Sequence, residues 1–300
     1  MPPFKSLLSK ETRNISRHYD VGNDFYRLFL GRDMIYSCAY FKNGDEDVDE
    51  AQRNKLEHIC RKLRLQPGEK FLDIGCGWGG LIVYAVKKYK VHAYGITLSQ
   101  KQYEYAKEWI KKENLDGLCK VEIKNYRELE GENIFDKVAS IGMFEHVGIK
   151  NLPTYFNIIR RVLKEKGLFL NHGITEELKS KRTTLGTKFI NTYVFSGGEL
   201  TQIADILRFM SDAGFEIVDL ESLRNHYMKT LRLWANNLRN QKEEAMRIVN
   251  QKTYRTWVLF MAACSYGFKR GNINVYQVLA SKHTGFGLSK HPLTREDLYI

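Results

Sequence analysis

Residues 70–80 read Lys70-Phe71-Leu72-Asp73-Ile74-Gly75-Cys76-Gly77-Trp78-Gly79-Gly80. A short apolar run is followed by four glycines in six positions, with an acid two residues before the first of them. A strand that ends this way and turns directly into a helix, here Gly-Leu-Ile-Val-Tyr-Ala-Val-Lys-Lys-Tyr over 80–89, brings bare backbone N–H groups close to a ligand. A tight turn by itself accounts for one or two glycines; four with a carboxylate beside them point to a bound small molecule. Gly75, Gly77 and Gly80 also satisfy G-x-G-x-x-G, which raises a dinucleotide. That site expects an acid about twenty residues on, after the second strand. Here the second strand ends Tyr94-Gly95-Ile96-Thr97, and the acid that is present, Asp73, can instead order the loop and hold a cationic amino-acid group.

Outward from the motif the chain alternates. KFLDI (70–74), VHAYG (91–95), KVEIK (120–124), DKVASI (136–141) and GLFLNH (167–172) are short apolar runs of strand type. Helical patterns at 80–89, 100–112 and 155–165 lie among them. Continuous apolar strands separated by helices imply a parallel sheet covered on both faces. EIVDL (216–220) and INVYQVLASKH (273–283) complete seven strands. The fold class is therefore α/β, a doubly wound, mostly parallel seven-stranded sheet. It is expected as a single domain over 1–300: a helical N-terminal cap (1–65), a cofactor-binding core (66–175), a helical lid insert over the active site (176–213), and the end of the sheet with basic helices (214–300). The helices include 15–30, 51–63, 229–249 and 256–271.

Composition narrows the class. Hydrophobic residues at 43% and charged residues at 27% describe a chain with ample core material. The longest strongly apolar run, Trp257 to Phe268, has about twelve residues where a spanning helix needs about twenty. The N-terminus has no apolar core of signal-peptide type. Cys38, Cys60, Cys76, Cys119 and Cys264 are scattered without metal spacing, so reduced thiols, no metal and a cytoplasmic location are expected. The net charge is +12, and from His226 to Ile300 twelve Lys/Arg stand against four Asp/Glu. Such a face attracts nucleic acid or an anionic bilayer, or is simply a solvated surface.

The pattern around Asp73 resembles motif I of class I S-adenosylmethionine-dependent methyltransferases, whose Rossmann-like sheet carries no pyrophosphate. Several further segments then line up: RHYDVGNDFYRLFL, MIYSCAYF, YGITLSQKQ, SIGMFEHVG, NHYMKTLRLW and MAACSYGFKR. Over nearly its whole length the chain resembles the cyclopropane-fatty-acyl-phospholipid synthases, and FEHVG with YSCAYF carries that resemblance most specifically. The resemblance implies a methylene transfer from S-adenosylmethionine to the Z double bond of an acyl chain in membrane phospholipid. For the cofactor it implies Tyr36, Ser37, Asp73, Gly75, Cys76, Gly77, Trp78, Gly79, Thr97, Leu98, Gln102, Tyr126 and Arg127. Thr97 and Gln102 would supply neutral hydrogen bonds in place of the missing acid.

An alkene is a poor nucleophile and leaves a carbocation, so the reaction needs water excluded, positive charge stabilised and a base at hand. The resemblance implies that the base is a bound bicarbonate ion, caged by the backbone of Cys38, by Glu145, His172, the carbonyl of Ile174 and Tyr227; Cys264 matches a further cysteine of the family pattern. Each residue also has a plain structural reading. Glu145 could cap a helix, His172 could be a satisfied strand-end histidine, Tyr227 an interfacial aromatic, and Cys38 and Cys264 small buried hydrophobes.

The aromatic content of 12% fits a greasy tunnel as well as an ordinary core. The basic C-terminal quarter would serve peripheral attachment to the inner face of an anionic membrane, with vesicle binding that weakens as salt is added. A homodimer stays open. Other readings remain: a small-molecule N-methyltransferase, a fatty-acyl C-methyltransferase leaving a methyl branch or a hydroxyl, or a lipid-surface module without chemistry. Charge alone would suggest a nucleic-acid methyltransferase; the aromatic segments and FEHVG weigh against nucleic acid as a partner.

Overall fold

A computed structural model describes residues 22–177, 200–282 and 291–299. Its sheet has seven strands: β1 (Lys70–Ile74), β2 (His92–Thr97), β3 (Cys119–Ile123), β4 (Phe135–Ile141), β5 (Leu163–Glu176), β6 (Phe215–Ser222) and β7 (Ile273–Lys282). Their order is β3-β2-β1-β4-β5-β7-β6. Strands β1 to β5 pair in parallel, and β7 lies antiparallel between β5 and β6. The order reverses between β1 and β4, the crevice where open α/β sheets bind ligands.

The two faces follow from strand alternation. Phe71, Ala93, Val121, Ala139 and Leu170 share a core with helices α2 (Val48–Lys62), α3 (Gly80–Tyr89) and α4 (Gln100–Lys112). On the other face Leu72, Ile96, Val138 and Phe169 pack with α5 (Leu152–Val162) and α6 (Ile203–Asp212). Beyond the carboxyl edge, α1 (Asn23–Leu30) joins α7 (Arg224–Asn240), α8 (Lys242–Ile248) and α9 (Gln251–Arg270), the last three inserted between β6 and β7. Phe25, Tyr26, Phe29, Trp234, Trp257 and Phe260 make this third core rich in aromatic rings. A final short helix, α10 (Glu296–Tyr299), packs on α2.

Several boundaries depart from the sequence reading. Helix α5 stops at Val162 because Leu163 is extended and buried, pairing with Phe135 at a register shift, so β5 begins four residues early. The basic stretch 229–249 is two helices, broken at Gln241, whose side chain donates to Leu28 O at 2.7 Å and anchors the break to α1. Of the lid expected over 176–213, residues 178–199 lie outside the described residues. The part described as α6 is no lid: its apolar side, Ile206 and Met210, is buried against α5 and β6. The helix expected over 15–30 is described only from residue 22 on.

Gly95 on β2 shows how closely the motif loop is packed. A Cβ there would lie 2.8 Å from Cys76 Sγ and 2.9 Å from Ile82 Cδ1. Gly95→Ala is expected to cost about 1–3 kcal/mol of stability by overpacking, and Cys76→Ala in the same chain to recover part of it. Urea unfolding midpoints of the two single variants and the double variant check this; strictly additive losses would refute the contact.

Candidate active site

The motif loop folds onto the end of β2. Gly75 and Cys76 both donate their N–H to Ile96 O, at 2.9 and 3.0 Å. Gly75, Gly77 and Gly79 hold φ of 80°, 56° and 91°, a region that favours glycine. Trp78 turns back under α1, its indole N–H donating to Asn23 Oδ1 at 2.9 Å. The result is one wall of a cleft at the order reversal, about 1120 Å³ with its open mouth included. Tyr36, Ser37, Asp73, Gly75, Cys76, Gly77, Trp78, Thr97, Leu98, Gln102 and Tyr126 all line it.

Two expected cofactor residues do not line the cleft. Gly79 is the N-cap of α3, and a Cβ on it would meet Ala106 Cβ at 3.0 Å, so its smallness serves helix packing. Arg127 lies with its guanidinium 4.7 Å over the Tyr126 ring. Where an acid is missing after β2, Thr97 donates to Gln102 Oε1 at 2.9 Å, both buried, which leaves the Gln102 amide N–H groups for a ligand.

The cleft also contains what the motif reading missed. Lys55 is 2% exposed and donates to Ser37 Oγ at 3.0 Å. Burial pulls its pKa down to about 8, against the attraction of Asp73. Asp73, itself buried, is pushed up to about 7 by desolvation, with Lys55 opposing; its Oδ1 has no hydrogen-bond partner. The available signal was a lysine on the apolar stripe of α2, between Ala51 and Ile59. Met143 and His146, just after β4, complete the opposite wall.

Glu145 and His172 both lie at the same edge of the sheet. Strand β4 ends at Ile141, and Gly142, with φ of 66°, turns the chain while donating to His172 O at 2.8 Å. Phe144 then lies over Gly173, where a Cβ would be 2.0 Å from its ring. This brings Glu145 inward, so that its Oε1 accepts from Ile174 N–H at 2.7 Å while Oε2 is buried without a partner. Desolvation pushes the Glu145 carboxyl up to about 7. Burial, then the charges of Lys55 and Lys62, pull His172 down to about 3, so its ring is neutral. Gln277 Nε2 donates to His172 Nδ1 at 3.2 Å, leaving the ring proton on Nε2, which has no partner.

Cys38, Ile174, Tyr227 and Cys264 all belong to the aromatic core beside these two. Ala39 N–H donates to Thr230 Oγ1 at 3.0 Å, fixing the Cys38 loop to α7. Desolvation pushes the Cys38 thiol up and holds Cys264 at about 12, so neither is a thiolate. These residues do not line the cleft. Met34, Tyr36 and Trp78 belong to both cleft and aromatic core and form the wall between them. Among the described residues no cluster of His, Cys, Asp and Glu could hold a metal, and no helix is long and apolar enough to cross a membrane.

Lys55→Met is expected to weaken S-adenosylhomocysteine binding roughly tenfold or more, the size of a buried charged hydrogen bond, and to leave adenosine binding unchanged. Calorimetry with both ligands is the check; equal losses would mean that the lysine merely supports the fold.

The family described as mycolic acid cyclopropane synthetase matches residues 7–278. A probable fatty acid methyltransferase of Pseudomonas putida is 45% identical over 302 residues, covering 99% of this chain and 77% of the relative. The cyclopropane-fatty-acyl-phospholipid synthase of Escherichia coli K12 is 38% identical over 272 residues, 90% of this chain and 68% of that one. Among solved structures, the mycolic acid cyclopropane synthase CmaA1 complexed with SAH and CTAB superposes with a TM-score of 0.85 at 33% identity, over 90% of this chain and 98% of that one. The fold, the cleft and these matches agree: the chain belongs to the mycolic acid cyclopropane synthetase family of S-adenosylmethionine-dependent methyltransferases.

Proposed function

We propose that this chain transfers a methylene group from S-adenosylmethionine to the Z double bond of an unsaturated acyl chain in membrane phospholipid, closing a cyclopropane ring. The observation that carries the reading is the presence of two buried, unpartnered groups, Glu145 Oε2 and His172 Nε2–H, at one edge of the sheet, where the neighbouring His146 lines the cleft and Ile174 packs on the aromatic core. Buried polar atoms are rarely left unpaired. These two fit an anion that carries a proton of its own, accepting from His172 and donating to Glu145.

The cleft fits the methyl donor in parts. Asp73 Oδ1 suits the ammonium of its amino-acid end, Lys55 and Ser37 the carboxylate, Thr97 and Gln102 the ribose, and Ile96, Leu98, Tyr126 and Val147 the adenine. An alkene carbon takes the methyl as the carbon–sulfur bond breaks, and positive charge appears on the neighbouring carbon. Tyr36, Tyr227, Trp234 and Phe268 offer aromatic faces that tolerate this cation without attacking it. The methyl then loses a proton and closes the ring.

A bicarbonate ion held by Glu145, His172, Tyr227, Ile174 and the Cys38 backbone would supply the base. Neutral His172 donates at Nε2 without adding a positive charge beside the developing cation. Glu145 Oε2 accepts the anion's own proton, which turns the anion's free oxygens toward His172 and the substrate. The buried surroundings of both keep bulk water from trapping the cation.

The fatty acid methyltransferase relative favours one second reading, in which the proton leaves a different carbon and a methyl branch with retained unsaturation remains. The basic C-terminal helices support peripheral attachment to an anionic membrane, where such a substrate resides.

Incubation with labelled S-adenosylmethionine and unsaturated phospholipid, followed by mass spectrometry of the acyl chains, separates the outcomes. Gain of one CH2 with loss of unsaturation supports the ring, and retained unsaturation supports the branch. Label on an amine or on RNA ends the lipid reading. Glu145→Gln keeps the bond to Ile174 N–H, so it is expected to cut turnover about 10²-fold or more with cofactor affinity nearly unchanged; parallel loss of both would make the residue structural.

A further inference from the structure

Helix α9 carries two unlike faces. Inward, Trp257, Phe260, Met261 and Phe268 are buried in the aromatic core, with Cys264 packed against it. Outward, Lys252, Arg255, Leu259, Ala262, Tyr266, Lys269 and Arg270 recur at helical spacing, and every one is exposed. Leu259 is 55% exposed and Tyr266 62%. The stripe is roughly 27 Å long at 1.5 Å per residue. Its apolar centre lies between two pairs of cations, an arrangement suited to lying in a headgroup layer. No Asp or Glu occurs anywhere in α9, nor in α7, which packs alongside it.

We infer that the outer face of α9 is where this chain settles onto an anionic bilayer. Leu259 and Tyr266 enter the boundary between headgroups and acyl chains, and Arg255, Lys269 and Arg270 meet lipid phosphates. The inference rests on the lipid reading above and deepens it: one helix would separate the membrane from the aromatic core, so an acyl chain drawn in beside it has a short path. Charge complementarity selects this occupant. A second copy of the chain would oppose cations with cations. An acidic carrier protein would be met by the cations alone, with no use for a bare leucine and tyrosine at the centre of the stripe.

The test uses the full chain, phosphatidylcholine vesicles with and without phosphatidylglycerol, and Leu259→Asp combined with Tyr266→Asp. The double variant is expected to bind anionic vesicles roughly tenfold more weakly or worse and to lose transfer to vesicle acyl chains in step. Its S-adenosylhomocysteine affinity, and its transfer to the same lipid in detergent micelles, should match the unaltered chain. Arg255→Glu combined with Lys269→Glu should weaken vesicle binding at low salt far more than at high salt.

Wild-type vesicle binding by the double variant overturns the inference, as does equal binding of neutral and anionic vesicles. Transfer confined to acyl groups on a soluble acidic carrier overturns it too. Vesicle binding that depends on Leu259 and Tyr266 supports the surface even where no acyl chain is labelled, an outcome that would sink the acyl reading alone.

Discussion

The buried ammonium of Lys55 ties the separate parts of the site together. It reaches from α2 to Ser37 in the N-terminal loop and faces Asp73 at the end of β1. A charge so far from water is tolerated only with partners, so the loop carrying Tyr36, Ser37 and Cys38 is held where the lysine can donate. The loop in turn supplies Tyr36 to the wall between cleft and aromatic core. Asp73 and Lys55 are both drawn by burial toward their neutral forms while each draws the other back. A zwitterionic ligand end would give each group the opposite charge it lacks, which makes the cleft more complementary to an amino acid than to a phosphate.

The sheet was legible because its physics is local. KFLDI and the helix at 80–89 fall where the residues place them, and Ser99 caps α4 at the expected start, accepting from Gln102 N–H. What escaped the sequence reading was set by distant partners. Nothing in RRVLKE announces that Leu163 will leave the helix to pair with Phe135. Nothing in NQKEEA announces that Gln241 will reach Leu28. Likewise α6 has a strongly one-sided apolar pattern, but the pattern alone does not say which surface receives it; the sheet does.

The site divides along the same line. Glycines 75 and 77 and the Thr97–Gln102 pair could be read from residue type and spacing, since a left-handed turn and a neutral hydrogen-bonding pair are properties of a few neighbours. Gly79 could not be sorted from them, because its function depends on Ala106 in the next helix. Glu145 and His172 were assigned by resemblance; what brings Glu145 to Ile174 N–H on the strand that carries His172 is Gly142, which turns the chain, and Gly173, which leaves room for Phe144. Lys55 was passed over because a lysine within a helix normally reads as solvated surface.

Two cores meeting at one edge also explain why this sheet can serve oily chemistry. The cores on the two faces of the sheet are ordinary packing and bury the parallel strands on both sides. The third core is built from segments that lie outside the alternating pattern, α1 and the α7–α9 insertion, and it shares Met34, Tyr36 and Trp78 with the cleft. A polar donor end and an apolar acceptor end can therefore approach across one wall, with the unpartnered atoms of Glu145 and His172 beside it. A nucleic-acid acceptor would need cations and hydrogen-bonding groups at that junction. The junction offers aromatic rings and thioethers instead, while Arg232 and Arg239 of α7 and the cations of α9 are exposed on the outer surface, away from it.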